Sequence, residues 1–451
     1  MSLTESNEKL VLILLLIFNL ILISSHLKYL FKFQKKINFL LPSWLVVSAL
    51  FLYGQFMPIY LLYAKIDTSI NNTFLSVYDF KPFIIIYISY TIISILIFIV
   101  DIIFSNSIKN KGEVNKNNYN FENMNISKKY ALFLTGIIAY ILFLFVFMKD
   151  YNYLSSMSGN LVFNKTERIN NNVLQTKISF TNLYMVSFLF LLFSYFTFKR
   201  KLVKIFILIL FIISSGFIFY MGTTLQVLLM LIVFIYFTYK FNRDLIKRYL
   251  ISSVFIIPIF YFLVVFTEAY REYKLNLKSK IEISNVINFS TFETVTGYLS
   301  GLVVLKSRYI MENYGINDLI FGSLPNTLRN LLNYDYTPIT NLVDESEIIS
   351  VFSTYVPTLP VSLLPYWYIA IFVFPLFYYI INILFFSLNK SGIIMYLISA
   401  IVYIDLFYMV RINIEAALGK IRLDLILLSV FIILYIILNK IVEKFIVKRS
   451  S

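Results

Sequence analysis

"ALFLTGIIAYILFLFVFM" (131–148) sits between Lys128 and Lys129 on one side and Lys149 and Asp150 on the other. As a helix rising 1.5 Å per residue it is about 27 Å long, close to the roughly 30 Å of hydrocarbon in a bilayer. No charge interrupts it, and it is apolar all round, where a surface helix of a soluble protein would carry one polar face. The stretch therefore reads as a helix that crosses a membrane.

The rest of the chain repeats this pattern. Of the 451 residues, 59% are hydrophobic and 14% charged, and the mean hydropathy is +0.79, more apolar surface than a soluble core of that length would hide. Comparable runs lie near 10–25, 44–64, 83–103, 181–198, 205–221, 225–239, 249–267, 364–388, 393–410 and 423–439. The expected fold is an all-α polytopic membrane protein with about 11 transmembrane helices, ten to twelve in all. Barrel strands would be shorter and would alternate.

Loop charge orients these spans. One alternate set of connections carries Lys28, Lys32, Lys35 and Lys36; Lys109, Lys111, Lys116, Lys128 and Lys129; Lys199, Arg200, Lys201 and Lys204; Lys240, Arg243, Lys247 and Arg248; Lys390; and Lys440, Lys444, Lys448 and Arg449. Basic residues concentrate in cytoplasmic loops, so this set faces inward. The segments 65–82, 149–180, 268–363 and 411–422 then lie outside, and the division is 1–267 (spans one to eight), 268–363 (a large outer loop) and 364–451 (spans nine to eleven). The first run, with Glu5 and Glu8 before it and no small-residue cleavage site, reads as an uncleaved span. The basic balance, pI about 9.4, is explained by this topology and needs no nucleic acid.

Several chemistries are excluded. There is no cysteine, hence no disulfide, thiolate nucleophile or cysteine-ligated metal. The one histidine, His26, falls just past the first apolar run beside Lys28 and reads as a solvated interface residue, which makes histidine-dependent catalysis an unpromising expectation. The Asn-rich stretch 105–129 reads as a cytoplasmic linker.

The loop 268–363 is far longer than an ordinary connection, and its composition argues for order. "TFETVTGYLSGLVVLKSRYIMENYG" (291–315) spaces Phe292, Val295, Leu299, Leu302 and Leu305 as a helix would, with Gly315 as its stop. "SLPNTLRNLLNY" (323–334) has Pro325 near a helix start and reads as a second, short helix. Both could lie on the membrane surface.

Arginine is the informative charge. The inward set is mostly lysine, whereas the outer segments carry Arg168, Arg271, Arg308, Arg329, Arg411 and Arg422. A guanidinium grips phosphate or carboxylate oxygens bidentately, so an anionic outer-face ligand would account for the bias. Local pairing is the plain alternative: Glu312 lies four residues after Arg308, and Glu268 three before Arg271. In "DLFYMVRINIEAALGKIRLD" (405–424), Arg411, Glu415, Leu418 and Arg422 share a face if the stretch is helical. Asp405 and Asp101 fall within apolar runs, and an intramembrane acid faces a cavity or a partner. Glu268, Asp344, Glu345 and Glu347 are the carboxylates placed to act as a general base, or are simply solvated.

The span count, the dominant outer loop and the outer arginines resemble the Wzy-type O-antigen and capsule polymerases. The local likeness is in "YIMENYGINDLIFGSLPNTLRNLL" (309–332), similar to that family's Tyr-x-x-Gly segment followed by an Ile/Leu-Pro helix. This sequence departs from the family at "MGTTLQ" (221–226), where many relatives have a Gly-Ser-Arg-like turn, and it lacks an Arg-x10-Gly spacing after Arg168 or Arg271. The resemblance implies a multi-pass enzyme of the bacterial inner membrane, active on the periplasmic face, that joins undecaprenyl-diphosphate-linked oligosaccharide units into a surface polysaccharide. It implies lipid-linked donor and acceptor as partners, a chain-length-regulating co-polymerase, and no cofactor or metal. Arg271, Arg308 and Arg329, with Arg168, Arg411 and Arg422, would hold diphosphate; Tyr270, Tyr273 and Tyr314 would face interface or glycan. The rival expectation is a flippase of the same lipids, which would place more polar groups inside the spans.

Overall fold

The computed structural model describes residues 3–34, 46–47, 50, 80–110, 124–158, 180–220, 224–241, 312–322, 324, 326–334, 367–387, 392–411 and 414–450. The expected spans at 44–64 and 249–267 lie outside these, apart from Val46, Val47 and Leu50, as does most of the expected outer loop. The described residues form eleven helices and no strand. They are α1 (Leu3–Gln34), α2 (Phe80–Asn110), α3 (Ile126–Ser158), α4 (Phe180–Thr197), α5 (Lys201–Tyr220), α6 (Thr224–Phe241), α7 (Ile316–Gly322), α8 (Asn326–Leu331), α9 (Trp367–Ser387), α10 (Ile393–Arg411) and α11 (Ile414–Ser450). Six are long and apolar enough to cross a membrane: α1 to α5 and α11. The protein is an α-helical membrane protein.

Packing groups the chain into two compact units, 1–118 with 289–391 and 402–422, and 119–288 with 392–401 and 423–451. In the first, α2 packs against both α1 and α9. Asn19 meets Thr91, His26 meets Asp101, and Tyr29 meets Ser105. Both numbers rise together, so α1 and α2 run parallel. Two parallel spans need an odd number of crossings between them.

In the second unit α4 is the centre, with 83% of its span buried. Tyr140 contacts Phe188, Phe143 contacts Tyr184, and Phe147 contacts Phe180, at ring separations of 5.7 to 5.8 Å. One number rises as the other falls, so α3 and α4 are antiparallel. Phe133 with Phe206, Tyr140 with Ser214, and Phe147 with Phe217 set α5 parallel to α3. These directions alternate as consecutive spans must.

Gly136 explains how closely α3 and α4 approach. A Cβ there would lie 2.9 Å from Leu191 Cδ2 and 3.1 Å from the Leu191 backbone nitrogen. Lipid is as apolar as a leucine side chain, so membrane helices associate through close packing and polar contacts, which small residues permit. Gly216 on α5 faces open space.

Within the 268–363 segment the described residues include two short helices, α7 and α8. Glu312 and Asn313 are helical while Tyr314 and Gly315 are not, which puts a break at the expected stop, and α8 falls inside the expected second helix. The sequence reading lacked α7, a separate seven-residue helix beginning directly after Gly315. Asp318 closes it: its carboxylate accepts from the Gly315 N–H at 2.6 Å and from the Tyr334 hydroxyl at 2.9 Å. Tyr334 also stacks on Phe321 at 4.2 Å. An acid reaching back to the N–H before a helix is half of a capping box. Residues 291–311 lie outside the described set.

Candidate functional site

The seam between α1 and α2 holds a polar line built by helical spacing. Asn19, His26 and Tyr29 are separated by seven and three residues, which puts them on one side of α1. Asn19 donates its amide to Thr91 Oγ1 at 2.8 Å and to the Leu15 carbonyl at 2.9 Å. Thr91 in turn donates to the Tyr87 carbonyl at 2.8 Å. Both amide hydrogens of Asn19 and the Thr91 hydroxyl are thus used within the seam.

Two turns further on, His26 Nε2 and Asp101 Oδ2 are 2.7 Å apart, and the Tyr378 hydroxyl of α9 donates to Asp101 Oδ1 at 3.0 Å. The imidazole lies against Phe98, ring centroids 4.5 Å apart at 25°. Tyr29 meets the edge of the same ring at 5.8 Å and shares a hydrogen bond with Ser105. His26, Asp101 and Tyr378 are 1%, 3% and 1% exposed. Three helices thus converge on one carboxylate.

This corrects the reading of His26 as a solvated interface residue. The apolar run ends at Ser25, but α1 continues to Gln34, so His26 lies about 12 Å from the helix end at 1.5 Å per residue. The signal was present: a polar residue every seven or three positions along one side of α1, and an aspartate inside the apolar run of α2. Asp101, expected to need a cavity or a partner, has two partners.

A second buried acid behaves likewise. Asp405 on α10 is fully buried, and Lys420 Nζ at the start of α11 lies 3.3 Å from its Oδ1. Lys420 is 16% exposed, so the contact is shielded on both sides. Between the two open expectations for Asp405, the structure supplies a paired partner. Asp424, one turn beyond Lys420, is also buried.

The expected outer-face ligands are less fully seen. Glu268, Tyr270, Arg271, Tyr273, Arg168, Arg308, Asp344, Glu345 and Glu347 lie outside the described residues. Arg329 is half-buried in the last turn of α8. Its carbonyl accepts from the Leu332 and Tyr334 N–H groups at 3.1 and 3.2 Å. The next reversal is made by Asn333, whose φ is +49°, a left-handed conformation that asparagine tolerates well. Tyr314 is buried at 2% exposure rather than turned to solvent. Arg411 is the last residue of α10 and Arg422 is half-buried on α11. Arg329, Arg411 and Arg422 belong to one packing unit. Among the described residues no group of three or more histidines, cysteines or acids could hold a metal.

No family model, curated protein or solved structure matches this chain. The functional argument therefore rests on the residues themselves.

Proposed function

We propose that the protein is a membrane glycosyltransferase that polymerises lipid-linked oligosaccharide units on the outer face of a bacterial inner membrane. In this reading about 11 spans place the amino terminus outside and the carboxyl terminus inside, and the 268–363 loop forms the working face. The observation that carries it is the folded segment 312–334, which overlaps the polymerase-like stretch 309–332. It is latched by Asp318 and presents Arg329 within the unit that also holds Arg411 and Arg422.

The chemistry suits that inventory. A sugar on a polyprenyl diphosphate is already activated, and guanidinium groups can neutralise charge developing on the departing diphosphate. Holding donor and acceptor lipids side by side contributes through orientation. Glu268, Asp344, Glu345 and Glu347 are the carboxylates that could take the acceptor hydroxyl's proton. The partners are the lipid-linked donor and acceptor and, through the resemblance, a chain-length-regulating co-polymerase.

Purified protein in detergent, given undecaprenyl-diphosphate-linked repeat units, is expected to yield a ladder of longer glycans. Arg271→Ala, Arg308→Ala and Arg329→Ala should insert normally and shorten or abolish the ladder. Full ladders in all three variants would remove the diphosphate-binding assignment.

A second reading, a flippase for the same lipids, is favoured by one observation: the ionisable groups buried within spans, His26 with Asp101 and Asp405 with Lys420. A flippase moves substrate between compartments and elongates nothing in detergent. The same assay separates the two.

A further inference from the structure

We propose that His26, Asp101 and Tyr378 form a membrane-embedded proton-binding site. It goes beyond either reading of the outer face and depends on neither. An ionisable side chain inside a membrane is costly, and burying an ion pair stabilises a fold less well than apolar residues of similar volume would. A purely structural seam between α1, α2 and α9 would be served by leucines. Instead the chain's one histidine meets one of its few intramembrane acids at hydrogen-bond distance, and a tyrosine from a third helix occupies the other carboxylate oxygen.

The geometry permits two proton arrangements without movement of heavy atoms. With hydrogen on Nε2 alone, the neutral imidazole donates to a carboxylate; with one proton more, hydrogen is on Nδ1 and Oδ2, and the carboxyl donates to a bare Nε2. Taking up one proton from hydronium at Nδ1 of the first arrangement gives the imidazolium beside the carboxylate, a tautomer of the second, and releasing it restores the neutral ring. One N–H bond forms or breaks, and no other reactant is required. The Tyr378 hydroxyl stays on Oδ1 throughout, so α9 senses the charge of a group shared by α1 and α2.

Two further features support exchange rather than a sealed pair. Asn382 is one turn beyond Tyr378 on α9 and 1% exposed, and among the described residues neither its amide oxygen nor its nitrogen has a hydrogen-bond partner. Its donor and acceptor are thus available to a proton carrier. Along α1 and α2, Tyr29 and Ser105 extend the polar line toward Lys32 at the end of α1. The titratable side chains facing the site are His26 and Tyr29 from α1, Asp101 from α2 and Tyr378 from α9, among the described residues.

The single histidine makes the test clean. Full-length protein carrying 15N-labelled histidine, in lipid nanodiscs, gives ring signals from His26 alone, followed from pH 5 to 9. The wild type is expected to show one titration step. Asp101→Asn should move its midpoint by at least tenfold in proton affinity, and Tyr378→Phe by about threefold. Ring signals that do not change across this range would overturn the proposal, because no proton is then exchanged. Identical midpoints in wild type and Tyr378→Phe would overturn it too, even if Asp101→Asn does not fold, since the imidazole would then be titrating alone.

Discussion

The two packing units hold their helices together by opposite means. Around α2 the contacts between α1, α2 and α9 centre on buried side-chain hydrogen bonds: Asn19 with Thr91, His26 with Asp101, Tyr378 with Asp101. Around α4 they are rings: Tyr140, Phe143, Phe147, Phe180, Tyr184, Phe188, Phe211 and Phe217 interlock between α3, α4 and α5. In water both would be driven by burial. In lipid, which solvates a phenyl ring nearly as well as a neighbouring helix does, the aromatic seam must depend on shape and the polar seam on partners.

The largest effect should come from removing one partner of the polar seam. Asp101→Ala leaves His26 and Tyr378 buried without an acceptor, and breaking a buried pair in this way costs about 3 to 5 kcal/mol. Unfolding of the purified protein, followed by tryptophan emission during denaturant titration, would measure it. The double variant His26→Phe with Asp101→Leu should recover most of that loss, because two apolar side chains replace two that need each other. Failure to recover would mean that the pair shapes the seam in a way volume alone cannot replace.

The aromatic seam should break through bulk instead. Gly136→Ile places atoms where Leu191 already sits, and overpacking of this kind costs about 1 to 3 kcal/mol. Gly216→Ala is the control: nothing lies within 4 Å of a Cβ there, so its unfolding midpoint should match the wild type or exceed it slightly. If the two substitutions behaved alike, the shape-dependent account of α3 and α4 would fail.

Most of the fold was legible because span length is set by the bilayer. Nine of the eleven expected runs fall on described helices, six of which are long and apolar enough to cross a membrane. Helix ends were not legible. Hydropathy marks where lipid ends, whereas α1 runs to Gln34 and α11, from Ile414 to Ser450, is about 55 Å long. His26 was misread for that reason alone. The candidate outer-face site was legible only as a bias toward arginine, since charge alone does not say which loops meet. The α7 helix was hidden because seven residues after a glycine carry too little periodicity to distinguish from a turn.

A smaller effect is expected at one of the two hydroxyl contacts that join the mainly aromatic seam, the other being Ser214 with Tyr140. Tyr184 Oη lies 3.1 Å from Ser215 Oγ, so Tyr184→Phe keeps the ring against Phe143, Phe188 and Phe211 and deletes only that bond. Interhelical hydrogen bonds of this type are worth about 0.6 kcal/mol on average in membranes. The unfolding midpoint should therefore fall only slightly, far less than for Asp101→Ala. A loss approaching that of Asp101→Ala would mean that α4 and α5 depend on a polar contact after all, and the contrast between the two seams would lose its physical basis.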